Sequence, residues 1–185
     1  MSSTVSDVRT GTVLLIVCCL FYLAWWCIAF NPSRSFPMAP KVVLFLCTAV
    51  AGVAGVLLSV QGLNELPDAR RPVSSLAIVI GAVVVYLVLL VATSLLMHRQ
   101  VTTELALITG WTALELCVVN ALYGSEVLGG GAAVGTTVVI VVCAVLGMAC
   151  YLAYYRLEPT KAFVDGMVPL ILFAVAMAFE ILIMR

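Results

Sequence analysis

Two glutamates and an asparagine interrupt an otherwise apolar run between Met97 and Gly124, which reads MHRQVTTELALITGWTALELCVVNALYG. Glu115 lies about 14 residues into the helix this run predicts, close to mid-bilayer, with no basic residue within two turns. Held there as a bare carboxylate it would cost about 3 kcal/mol or more, so it must be protonated, paired across helices or open to a water-filled cavity. Such a group is suited to carrying a proton or binding a cationic solute. Glu104 has a plainer reading. It falls in the first turn of the same helix, where unpaired N–H groups and the positive helix end favour a carboxylate, with Arg99 near.

The neighbours of Glu115 follow from helical geometry. At about 100° per residue, Glu104, Ile108, Trp111, Glu115 and Leu122 fall within about 40° of one line, while Thr102, Ala106, Thr109, Ala113 and Asn120 fall near the opposite line with Gly110 beside them. The carboxylate stripe must face protein or water, and the small-and-polar stripe suits close packing with interhelical hydrogen bonds. A helix constrained on both faces belongs in the middle of a bundle. Glu115 stands about 12 Å, and Glu180 within about 8 Å, of the side of the membrane that holds the termini, so the two share one half of the bilayer with Asn120. Arg185 offers Glu180 a partner, or lets it snorkel. Tyr86 falls one turn from the depth of Glu115 on the preceding span, and its hydroxyl is a candidate partner. Pro169, preceded by Asp165 and Gly166, frees a backbone carbonyl early in the last span and is a candidate hinge.

Metal and cofactor chemistry finds little support. His98 is the sole histidine and sits in a connector, which leaves a haem or zinc site without its usual ligands. The cysteines Cys18, Cys19, Cys27, Cys47, Cys117, Cys143 and Cys150 lie inside apolar runs without a C-x-x-C pair, as small buried hydrophobes do. No cofactor is expected.

The elements that must hold these residues are set by composition. The 185 residues are 64% hydrophobic and 10% charged, with mean hydropathy +1.23, far from the soluble range of about half apolar and a quarter charged. An all-α polytopic membrane protein is predicted, a compact six-helix bundle forming one transmembrane domain over residues 1–185. Its spans are 11–30, 41–63, 74–97, 101–123, 133–155 and 162–184, each near the ~20 residues a crossing helix needs. The connectors NPSRSFPMAP, NELPDARRP, HRQ, GSEVLGGG and RLEPTK are too short for a soluble domain. Phe21, Tyr22, Trp25, Trp26 and Phe30 close the first span, and Tyr151, Tyr154 and Tyr155 close the fifth, as an interfacial belt on the side away from the termini.

Basic residues divide evenly between the two sides. The adjacent Arg70 and Arg71 favour cytoplasmic termini in a cell membrane, although an even division also suits dual topology. A 3+3 inverted repeat is one plan for such a chain, with AVAGVAG from Ala49 matching AVLGMAC from Ala144.

Three functions fit. In a small-solute or ion transporter or channel, Glu115 would titrate or bind the solute, Trp111, Asn120 and Tyr86 would shape the site, Glu180 would add charge, and Pro169 would flex. One deep carboxylate per chain makes a homodimer a natural way to complete the path. A non-catalytic membrane subunit of a larger complex would instead show a broad apolar or small-residue face that its own helices leave uncovered. An intramembrane lipid-acting enzyme would use Glu115 or Glu180 as acid or base, but the convergent His, Asp, Ser or Arg of such sites is missing and no catalytic residue is assigned. The expected partners are the bilayer and a second copy or partner membrane subunit, with no nucleic acid.

Overall fold

The computed structural model describes residues 3–66, 71–97 and 103–184, and all its regular structure is helical. The elements are α1 (Ser3–Ala29), α2 (Met38–Glu65), α3 (Ser75–Met97), α4 (Thr103–Gly124), α5 (Gly130–Tyr154), α6 (Pro159–Asp165) and α7 (Val168–Ile183). With α6 and α7 taken together, six helical units are long and apolar enough to cross a membrane. In hydrocarbon every backbone N–H and C=O must be satisfied within its own segment, which long runs of Leu, Val, Ile and Ala do as helices. Proline and glycine mark the starts: Pro37 precedes α2, Gly129 precedes α5 and Pro159 opens α6.

Two features depart from the sequence expectation by more than a few residues. The first helix begins at Ser3, eight residues before the expected start at 11, because the polar segment STVSDVRT continues the helix beyond its apolar part. The last span is two helices. Its break falls at Gly166 and Met167, ahead of Pro169, which is the second residue of α7, where the missing N–H interrupts no helical bond. The break is packed rather than loose. A Cβ on Gly166 would lie 2.4 Å from Cζ2 of Trp26, and the indole N–H of Trp26 donates to the Phe163 carbonyl at 3.0 Å.

α1 lies along α2 at a close crossing. A Cβ on Gly11 would meet the Ser59 nitrogen at 2.7 Å and the Gly55 carbonyl oxygen at 2.9 Å, so backbone approach there requires glycine. α4 is central, with half of its span buried against 28% for the next most covered helix. It packs on α2, α3 and α5, while α7 packs on α1, α5 and α6. α4 and α7 meet through long side chains. Tyr154, at the end of α5, comes edge-on to Trp26 at 5.9 Å between ring centroids, so the two aromatic clusters do share one end of the bundle. α3 docks on α4, and no other helix packs substantially against it among the described residues.

Candidate functional site

Trp111 and Glu115 are one turn apart on α4, and Phe173, Met177 and Glu180 recur on one face of α7 at a spacing of four and three. This brings the two helices together twice. Trp111 stacks on Phe173 with ring centroids 4.1 Å apart and planes at 15°. Deeper toward the terminal end, the Glu115 and Glu180 carboxyl groups meet within hydrogen-bonding reach. Each glutamate is 1% exposed. Two carboxylates have no hydrogen to share, so a hydrogen bond between them requires a proton on one of them.

The pair sits at the seam between two apolar cores. On one side are Leu15, Ile108, Phe173 and Met177, and on the other Val8, Cys117, Val118 and Met184. Among the described residues no basic side chain acts on either carboxyl. Glu115 Oε2, Glu180 Oε1 and the Trp111 indole N–H are buried and have no hydrogen-bond partner among the described residues. Unsatisfied buried polar atoms cost about 1–3 kcal/mol each, and three of them lie beside this one helix contact.

The other residues singled out in the sequence fall elsewhere. Asn120 donates its amide to the Val73 carbonyl, holding the segment that leads into α3. Tyr86 is half-buried and forms no hydrogen bond among the described residues; the group that meets Glu115 is Glu180. Glu180 is therefore a deep partner and does not snorkel, while Arg185 lies outside the described residues, as do His98, Arg99 and the HRQ hairpin. Glu104 occupies the exposed first turn of α4, as its sequence position implied. Ala106, Gly110 and Ala113, read as a packing stripe, line open space. A Cβ on Gly110 would meet nothing within 4 Å.

That space is a cavity of about 1300 Å³, partly open to the surroundings, between α2 and α3 with α4, α1 and α7 behind. Trp111, Phe173, Leu114 and Met177 form part of its wall, and the carboxyl pair does not line it. Sequence patterning had not located the cavity or the stack. The recurrence of Phe173, Met177 and Glu180 on one face was the available signal for the second. Among the described residues no cluster of three or more metal-ligating side chains occurs. No protein-family model, curated protein or solved structure matches the chain, so the site is read from its own geometry.

Proposed function

We propose that this protein is a cell-membrane carrier of a small solute in which Glu115 and Glu180 form the proton-bearing element. The observation that supports this reading is the meeting of two buried carboxyl groups, from different helices, with no cation among the described residues acting on them. Deep carboxyls are expensive, and proton relays and coupling sites are a recurrent reason for keeping them. In this reading the structure is an occluded form. Water or solute reaches the pair only when Trp111 and Phe173 part, and the bend at Gly166 and Met167 is where α7 would pivot.

A 3+3 plan would make α3 the counterpart of the α6–α7 unit. In that comparison α5 and α7 pack together while α2 and α3 stand apart across the cavity, and exchange of the two arrangements is the motion a carrier needs. The termini are assigned to the cytoplasm on Arg70 and Arg71.

The test is solute-driven proton movement in liposomes that contain the purified protein and a trapped pH-sensitive dye, challenged with anionic and cationic lipophilic solutes. Proton movement with at least one solute, abolished by Glu115→Gln, is the expected result. Native protein that moves no protons with any of them, or a variant that performs as well as native, overturns the reading. A second reading, a membrane subunit that accepts a partner helix, is favoured by the separation of α2 from α3. It expects a stable second chain in native mass spectra of gently extracted protein.

A further inference from the structure

The Tyr151 hydroxyl is buried and, like Glu115 Oε2, Glu180 Oε1 and the Trp111 indole N–H, has no hydrogen-bond partner among the described residues. Tyr151 belongs to the aromatic group at the end of α5, yet it is turned into the bundle and only 6% exposed. A phenylalanine would fill the same space without the cost of a stranded hydroxyl. Levels along the helices put these atoms in order. Measured from the end of the bundle away from the termini, Tyr151 stands about 4.5 Å inside α5, Trp111 about 12 Å inside α4 and Glu115 about 18 Å. Helix side chains lean toward their own N-terminus, so on these antiparallel helices the Tyr151 phenol leans inward and the Trp111 indole outward, toward one another. Both pack in one cluster with Leu15, Ile108 and Phe173. On its outer side Tyr151 meets the Tyr155 ring edge-on at 5.6 Å between centroids, and the exposed Glu104 marks the same end of the bundle.

The other approaches to the carboxyl pair are apolar. In the turns that follow Glu115 and Glu180 toward the termini lie Val118, Leu122 and Met184, each at most 1% exposed, and α7 lines the cavity with Leu170, Phe173 and Met177. We infer that protons reach Glu115 and Glu180 from the end of the bundle opposite the termini, through water held by the Tyr151 hydroxyl and the Trp111 indole N–H. This rests on proton carriage by the pair and adds the route and its side. Tyr151 is the relay. Its oxygen accepts a proton from water on the outer side as its own hydroxyl proton passes to water on the inner side, and it stays neutral. Trp111 only donates, so it orients the inner water and passes no proton. The inner water gives one proton to the carboxylate of the pair and regains one from Tyr151, so that one proton has moved from bulk water to the pair. The route is complete when Trp111 parts from Phe173.

Protein in bilayer films is switched from H₂O to D₂O buffer, and the protonated-carboxyl infrared band that Glu115→Gln alters is followed in time. In Tyr151→Phe this band should keep its position and amplitude while its exchange slows about tenfold, the weight of one hydrogen bond. The hydroxyl has no partner to lose, so thermal melting should show no loss of stability, which separates a relay from a packing role. Gly110→Leu fills cavity space and should exchange at the native rate. Native-rate exchange in Tyr151→Phe, a displaced band in that variant, or equal slowing by Gly110→Leu would each overturn the route and leave the proton-bearing pair standing. If native protein shows no band that depends on Glu115, the reading of the pair itself fails, and the route with it.

Discussion

Removing one carboxyl of the Glu115–Glu180 pair should destabilise the protein, and removing both should restore most of the loss. In Glu115→Leu the Glu180 carboxyl, 1% exposed, keeps its desolvation cost and loses its partner, which amounts to about 1–3 kcal/mol. Glu180→Leu strands Glu115 in the same way. The double Leu variant has no stranded polar group and changes side-chain volume little at either position, so it should lie close to native. If the two effects were independent, the double variant would lose about 2–6 kcal/mol instead. The expected coupling is the difference between those two outcomes, about 2–6 kcal/mol, above the ~1.7 kcal/mol upper end found for interhelical hydrogen bonds in membranes. Glu180→Gln retains a neutral donor and acceptor and should cost less than either Leu variant. Unfolding by sodium dodecyl sulfate in mixed micelles, followed by tryptophan fluorescence, reads the native protein and the four variants. Additive losses would refute the pairing.

Gly11→Ala should destabilise by about 1–3 kcal/mol through overpacking, because its Cβ would meet the Ser59 backbone nitrogen at 2.7 Å. Gly110→Ala should be neutral or stabilising by up to about 1 kcal/mol, since nothing lies within 4 Å of its Cβ; thermal melting followed by circular dichroism in detergent compares the two. Trp26→Phe removes the bond to the Phe163 carbonyl and should cost about 0.5–1.5 kcal/mol, with faster hydrogen exchange around Gly166 as its local signature. Asn120→Leu frees the Val73 carbonyl and should cost about 1 kcal/mol, with protease cleavage before α3 accelerated more than at the other connectors.

The helices were legible because bilayer thickness and backbone satisfaction leave few alternatives for such apolar runs, and α4 was legible as central because two opposite stripes both needed cover. Glu115 was legible as buried because no basic residue lies near it in sequence. Its partner was harder. Glu180 sits close to Arg185 in sequence, which suggested a surface role, and only the parallel packing of α4 and α7 turns it inward. Asn120 bonds the Val73 carbonyl, and Tyr86 forms no hydrogen bond among the described residues, because depth in a membrane fixes level but not azimuth. The cavity was not legible, since Ala106, Gly110 and Ala113 carry the same pattern whether a helix covers them or not.

Infrared difference spectroscopy of the protein in lipid bilayers tests the central claim most directly, because the C=O stretch of a protonated carboxyl group is distinct from that of a carboxylate. A protonated-carboxyl band is expected in native protein that changes with bulk pH, shifts in D₂O, and is altered by Glu115→Gln and by Glu180→Gln alike. A band that neither substitution touches, or one that ignores both pH and D₂O, would contradict the assignment of Glu115 and Glu180 as a proton-carrying pair.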